Sequence, residues 1–280
     1  MRCFFATDLH GDERRYRGLF DAAAAGNPDA VFLGGDLLPA LAGATARAFL
    51  DEVVGSGLRE LRAVLKSRFP RVFFILGNDD PRLAEPALHA MEREGLAEYI
   101  HERRVPLGSF DVYGYAFVPP TPFALKDWER YDVSRYVDPG CVSPEDGLCS
   151  LPLAVEERRY ATIQADLARL VGERPLDRAI FLFHGPAYGT SLDRAALDDR
   201  RVDGVPMDVH VGSIAIRRFI EERQPLLTLH GHVHESAALS GTWRERIGRT
   251  ILFSAAHSGP ELALVRFDPE RLDEATRDLV

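Results

Sequence analysis

Five short apolar runs punctuate the chain: CFFA (3–6), AVFLG (30–34), VFFIL (72–76), AIFLF (179–183) and LLTL (226–229). Almost no polar residue interrupts them, so they predict short strands buried on both faces rather than half-exposed ones. The longer stretches between them predict helices over about 13–25, 42–66, 84–94, 156–171 and 213–222. Regular alternation of strand and helix implies an α/β layered fold. Residues 249–267 read as two further strands, which brings the count to two sheets rather than one.

The segment from about 105 to 153 has a different texture. Prolines, aromatics and turn residues crowd it, as in V-P-P-T-P-F-A-L-K-D-W-E-R-Y-D (118–132). It reads as an irregular insertion in a single domain of residues 1–280, with a strand at 110–115 followed by an ordered loop that borders the site.

At 280 residues with 46% apolar composition, the chain can bury one continuous core. Its 43 acidic against 34 basic residues give a net charge of −9, and the pI is near 5.5. That balance argues against a nucleic-acid coat or a membrane-surface protein, both of which need basic patches. An anionic ligand must therefore be attracted locally. No apolar run approaches the ~18 residues of a membrane span, and Asp8 and His10 arrive too early for a secretory leader, so a soluble cytoplasmic protein is expected. Cys3 falls in the first strand run, and Cys141 and Cys149 read as loop thiols.

Each strand run ends in polar residues able to hold a cation: T-D-L-H-G-D (7–12), G-D (35–36), G-N-D-D (77–80), H-G-P (184–186) and H-G-H-V-H (230–234). Singly, such residues are usually caps or turns. Five of them at the carboxyl ends of strands converge on one crevice in an α/β sheet. Mixed carboxylate and imidazole donors suit Mn, Fe, Zn or Co better than Ca or Mg. His232 and His234 are one residue apart, so an extended segment would turn both rings to one side.

Taken in this order, the motifs resemble those of the calcineurin-like metallophosphoesterase superfamily: D-x-H, G-D, G-N-H-D or G-N-H-E, a lone His, then G-H-x-H. Four of the five are intact. The resemblance implies a four-layer αββα sandwich of two mixed β-sheets flanked by helices, with two divalent transition-metal ions at one edge. Mn is the first choice, with Fe, Zn, Co or Ni as alternatives. It implies that Asp8, His10, Asp36 and His234 hold one ion, that Asn78, His184 and His232 hold the other, and that Asp36 bridges them. The implied activity is phosphoester hydrolysis with a metal-bridging hydroxide as nucleophile, and Asp36 and Asn78 lie at its catalytic centre. A small phosphodiester or nucleotide-like molecule is the expected substrate. Two dications against Asp8, Asp36 and a hydroxide leave a local charge of about +1 to hold phosphate.

The departure from the pattern is Asp79, which stands where many relatives carry a histidine proposed to protonate the leaving group. Two cations nearby would keep its carboxylate ionised, so it is read as a substrate contact rather than the acid. Three alternatives stay open: another histidine takes over, with His257 and His210 as the candidates; a metal-bound water supplies the proton; or the substrate has a leaving group that needs none. Tyr188 and His210 are further candidates for substrate binding, and Thr190 and Asp193 share the glycine-rich loop with Tyr188. His89 and His101 are expected to face solvent. Competing readings are a non-catalytic scaffold, which would have no need of seven intact ligands, and a nuclease, which would need a basic groove. No run of Lys or Arg exceeds two residues, so nucleic acid is disfavoured. A homo-oligomer is compatible with the sequence.

Overall fold

The computed structural model describes residues 1–39, 43–202 and 204–280. It begins with β1 (Cys3–Ala6), α1 (Glu13–Gly26), β2 (Ala30–Gly34), α2 (Gly43–Phe49), α3 (Ser56–Leu65) and β3 (Arg71–Ile75). Next come α4 (Glu85–Arg93), β4 (Glu98–Tyr99), β5 (Arg103–Leu107) and β6 (Phe110–Tyr115). After an irregular run follow α5 (Val155–Tyr160), α6 (Ile163–Val171), β7 (Ala179–Phe183), a small ribbon of β8 (Arg201–Val202) and β9 (Val205–Pro206), α7 (Ile214–Arg223) and β10 (Leu227–His230). The chain closes with α8 (Ser236–Ser240), β11 (Arg244–Ile247), β12 (Thr250–Ser254), β13 (Ala263–Phe267) and β14 (Thr276–Leu279).

Two six-stranded mixed sheets result, in the orders β14-β13-β1-β2-β3-β4 and β11-β12-β10-β7-β6-β5. In the first, β1 to β4 run parallel, β13 pairs antiparallel with β1, and β14 pairs antiparallel with β13. In the second, β6, β7, β10 and β12 are parallel, with antiparallel β5 and β11 at the two edges. The inner faces meet where β2 lies against β7 and β3 against β6. Phe253 of β12 packs on Phe267 of β13, with ring centroids 6.0 Å apart. Helices cover the outer faces, which completes the expected αββα sandwich. Every residue of β1, β2, β7 and β10 is buried, and this double-sided burial is why those runs lack polar alternation.

Several boundaries differ from the sequence expectation. The single helix expected over 42–66 is α2 and α3 joined through a π-helical stretch, Leu50–Gly55. The helix expected over 156–171 breaks at Ala161 and Thr162, because the Thr162 hydroxyl accepts from Ala165 N (3.2 Å) and starts a new helix there. β5 and β6 belong to the second sheet, so the irregular run covers 116–154. It is pinned rather than loose. Lys126 and Glu129 form a fully buried ion pair, and Arg130 pairs with Asp166 and Glu157. Asp132 accepts from Ile214 N (2.7 Å) and Ala215 N (3.1 Å), which fastens the run to the start of α7.

His101 does not face solvent, contrary to the expectation. Its Nδ1 accepts from Ala116 N (3.1 Å), and its ring packs against Trp128 and Phe117, with centroids 4.9 and 5.0 Å away. Burial, helped by the charges of Arg82, Arg130 and Arg169, holds its pKa well below the usual value, so it is a neutral, partly buried histidine. His89 is exposed, as expected. Among the described residues, no helix is long and apolar enough to cross a membrane.

Candidate metal centre

The five ligand-bearing loops leave the carboxyl ends of β1, β2 and β3 in one sheet and β7 and β10 in the other. Backbone bonds zip the first two together beyond the strands: Asp8 N donates to Gly35 O (2.9 Å) and His10 N to Asp36 O (2.8 Å). Gly231 N donates to His184 O (2.8 Å), which joins the two loops of the second sheet. The sheets meet closely at Gly35, where φ is +98° and an added Cβ would sit 2.6 Å from His184 Nδ1. At Gly77 an added Cβ would overlap Asp36 Oδ1, so neither position tolerates a side chain.

Four candidate ligands, Asp8, His10, Asp36 and His232, adopt left-handed backbone, with φ of 56°, 47°, 51° and 73°. Asp and His tolerate that region better than most residues, at a cost of about 1 kcal/mol each. The result is two clusters of ligand atoms, each lying within 4.8 Å of one another: Asp8, His10, Asp36 and His234, then Asp36, His184 and His232. Asp36 belongs to both. Asn78 adds its Oδ1 to the second cluster, 3.0 Å from His184 Nε2. All seven residues expected from the sequence are thus brought together.

The geometry of His232 and His234 corrects one expectation. The segment is not extended, because the left-handed φ at His232 bends it. The His232 ring lies beside His184 (centroids 5.2 Å apart) and the His234 ring beside His10 (4.9 Å), so each serves a different cluster.

Protons and hydrogen bonds hold these atoms in register. His184 Nδ1 donates to Gly34 O (2.8 Å), which leaves Nε2 aimed at Asp36 Oδ2 (3.3 Å) and Asn78 Oδ1. Burial opposes a charged ring there, but the Asp36 carboxylate outweighs it and raises the His184 pKa to about 10. His10 Nε2 and His234 Nε2 are 3.0 Å apart, and Asp8 Oδ1 is 3.4 Å from His234 Nε2. Burial works against ionisation of Asp8 and Asp36, yet their histidine neighbours hold both carboxyls below the usual range. His232 has its pKa depressed to about 4 by burial and by the His184 charge, so it is neutral and able to ligate at neutral pH. Converging Nε2 and carboxylate atoms with a shared carboxylate are the donor set that two neighbouring transition-metal ions require.

Asp79 lies at the rim: its N–H donates to Asp36 Oδ1 (2.8 Å), and its carboxylate accepts from Asn78 Nδ2 (3.0 Å) and lies 3.8 Å from His10 Nδ1. Its own surroundings raise its pKa, burial first and then Asp36, so the lowering expected from the sequence depends wholly on the charge of bound cations. His257, Tyr188 and His210 make no hydrogen bond to the seven ligands among the described residues. His257 pairs with Glu261 (3.2 Å), Tyr188 donates to Asp208 (2.6 Å), and His210 pairs with Asp193 (2.7 Å). Thr190 is buried and turned inward, with its hydroxyl on Ala187 O (2.8 Å).

Sequence reasoning missed two residues that shape the centre. Asp80 is fully buried and accepts from Gly77 N (2.9 Å), Leu37 N (3.0 Å) and Leu38 N (2.8 Å), so it ties the loop carrying Asn78 to the loop carrying Asp36. His230 spans from Gly185 O (2.9 Å) to Thr228 Oγ1 (2.7 Å) and buttresses the loop after His184. The fourth residue of G-N-D-D was the available signal for Asp80. Removing it in Asp80→Ala orphans three buried N–H groups, with an expected loss of about 2–4 kcal/mol in denaturant unfolding. A 10–100-fold fall in metal affinity, measured by titration, is expected alongside, because the carboxylate orients ligand loops rather than ligating.

The family model for calcineurin-like phosphoesterases matches residues 1–236. The chain belongs to the calcineurin-like phosphoesterase family. As a calcineurin-like phosphoesterase it has no match among curated protein sequences. Among solved structures, a protein of Thermus thermophilus is 15% identical, with 99% of this chain and 98% of that one covered and a TM-score of 0.56. A dimetal phosphatase from Danio rerio is 12% identical, with 95% and 91% covered and a TM-score of 0.52. At such identities these likenesses show the fold that this phosphoesterase shares with them.

Proposed function

We propose that this phosphoesterase is a dinuclear, metal-dependent hydrolase of phosphoester bonds that prefers a small phosphodiester or nucleotide-like substrate. The observation that carries the reading is Asp36: one buried carboxylate stands in both ligand clusters, the arrangement needed to hold two cations side by side. Asp8, His10 and His234 would complete one site, and Asn78, His184 and His232 the other. When bound, two such cations, with Mn the first candidate, polarise a phosphoryl oxygen and supply hydroxide near neutral pH. The solved neighbour named as a dimetal phosphatase shares the fold, which is consistent with this reading.

The preference for a diester follows from charge. Asp79 places a carboxylate, 38% exposed, at the rim where a histidine would have placed a donor. A dianionic monoester is repelled by it more strongly than a monoanionic diester. Tyr188 and His210, on the loop that leaves His184, are the proposed substrate contacts beyond the rim.

Chelation followed by Mn readdition tests the reading, with bis-para-nitrophenyl phosphate and para-nitrophenyl phosphate as substrates. Hydrolysis is expected to fall by at least about 100-fold on chelation and to return with Mn, with the diester cleaved faster. Activity that survives complete removal of metal would rule the reading out.

A further inference from the structure

With aspartate at position 79, the proposed hydrolase lacks its usual candidate for protonating the leaving group. The two histidines considered as replacements are held in different ways. His257 has Nε2 engaged by Glu261, a residue of its own loop. His210 has Nδ1 on Asp193 Oδ1, while Nε2 makes no hydrogen bond with any described residue and the side chain is 33% exposed. Asp193 is fully buried and lies outside both ligand clusters. It also accepts from Gly189 N (2.9 Å), Thr190 N (2.9 Å) and Gly212 N (3.1 Å). A carboxylate so fixed sets both the orientation and the tautomer of the imidazole it accepts from.

The loop carrying this pair is anchored beside the candidate ligands of the second sheet. It starts at the residues after His184 and closes at its base, where Ser213 N donates to Pro186 O (2.9 Å). Its flank meets the residue after His234, with Ala196 N donating to Glu235 Oε1 (3.0 Å). The lobe therefore spans the two ligand loops of the second sheet. Tyr188 lies edge-on to His210, with ring centroids 5.9 Å apart, and Asp208 accepts from both Tyr188 Oη (2.6 Å) and His210 N (2.9 Å).

We propose that His210, positioned by Asp193, is the proton donor to the departing alcohol; this rests on the hydrolase reading above. As a hydroxide oxygen bonds to phosphorus, the phosphorus–oxygen bond to the leaving group breaks and its electron pair stays on the leaving oxygen. The proton on His210 Nε2 moves to that oxygen. Neutral His210 keeps its Nδ1–H on Asp193 and regains a proton from solvent before the next turnover. His210 is then a catalytic residue, and Asp193 a positioning residue that acts through it.

The test uses methyl aryl phosphodiesters whose leaving phenols range from 4-nitrophenol to phenol, with full-length protein of verified metal content. His210→Gln is expected to lose about 100-fold in kcat on the phenol ester and about tenfold less than that on the 4-nitrophenol ester. Asp193→Asn is expected to steepen the leaving-group dependence in the same direction. A second readout needs no turnover: histidine proton–nitrogen correlation spectra of the metal-free protein should show a proton on Nδ1 of His210, and a mixture of tautomers in Asp193→Asn. Equal losses for all leaving groups, no loss, or an unprotonated Nδ1 would each overturn the assignment. If Asp193→Asn fails to fold, His210→Gln, at a partly exposed position, still decides the matter. A wild type without metal-dependent hydrolysis sinks the hydrolase reading, and the assignment falls with it; metal-dependent hydrolysis whose leaving-group dependence is the same in wild type and His210→Gln sinks the assignment alone.

Discussion

Asp36→Ala is expected to remove metal from both sites at once and to lower kcat/KM by about 10³-fold or more, the equivalent of at least 4 kcal/mol of transition-state stabilisation. No other ligand stands in both clusters. Asp8→Ala or His184→Ala should each strip one site first, so metal counted per chain by elemental analysis separates the three variants. The fold should survive in Asp36→Ala, because the substitution opens space and removes a buried charge. Two metals retained per chain in that variant would defeat the assignment of Asp36 as the bridge.

Exchange of metal for protons is the second large effect. In the metal-free chain the His184 pKa is raised to about 10, so at neutral pH its Nε2 carries a proton towards Asp36 and Asn78. A cation must displace that proton, so apparent affinity should rise about tenfold per pH unit at least up to pH 9. The sign for stability runs the other way in the absence of metal. A histidine with a raised folded pKa contributes fully below its unfolded value of about 6.5 and loses that contribution as pH climbs towards 10. The gap in Tm between metal-loaded and chelated protein should therefore widen from pH 7 to pH 9. At a thousandfold excess over Kd, one site adds about 4 kcal/mol, on the order of 10 °C in a chain of this size. Calorimetry in buffers of different ionisation enthalpy should register the released proton. A gap that narrows with pH would contradict the state assigned to His184.

Much of this centre was legible in the sequence because fully buried strands and their polar ends leave strong local marks. β1, β2, β6 and β7 have the predicted bounds, and every candidate ligand lies within the first four residues after a strand. What was not legible was set by tertiary partners. β5, β11 and β14 carry charged residues on exposed edges, so R-R-V-P-L, R-E-R-I and T-R-D-L do not announce strands. Local alternation could not show that the helical stretch after 155 restarts at Thr162. The bend at His232 was invisible because a residue's type does not report its φ. His101 looked polar among charged neighbours, and Phe117 and Trp128, which partly cover it, come from the irregular run after β6. Asp80 and Asp193 bond to backbone N–H groups, and those partners leave no trace in side-chain patterns.

Asp8, Asp36 and Asn78 are contributed by one sheet, and His184, His232 and His234 by the other. Occupied cations would act as rivets between the two halves of the sandwich. Neither half could assemble the centre alone, and sliding one sheet past the other would have to break several coordination bonds together. Amide exchange deep in β2 and in β7 should then slow in concert when metal binds, although the two strands share no backbone ladder.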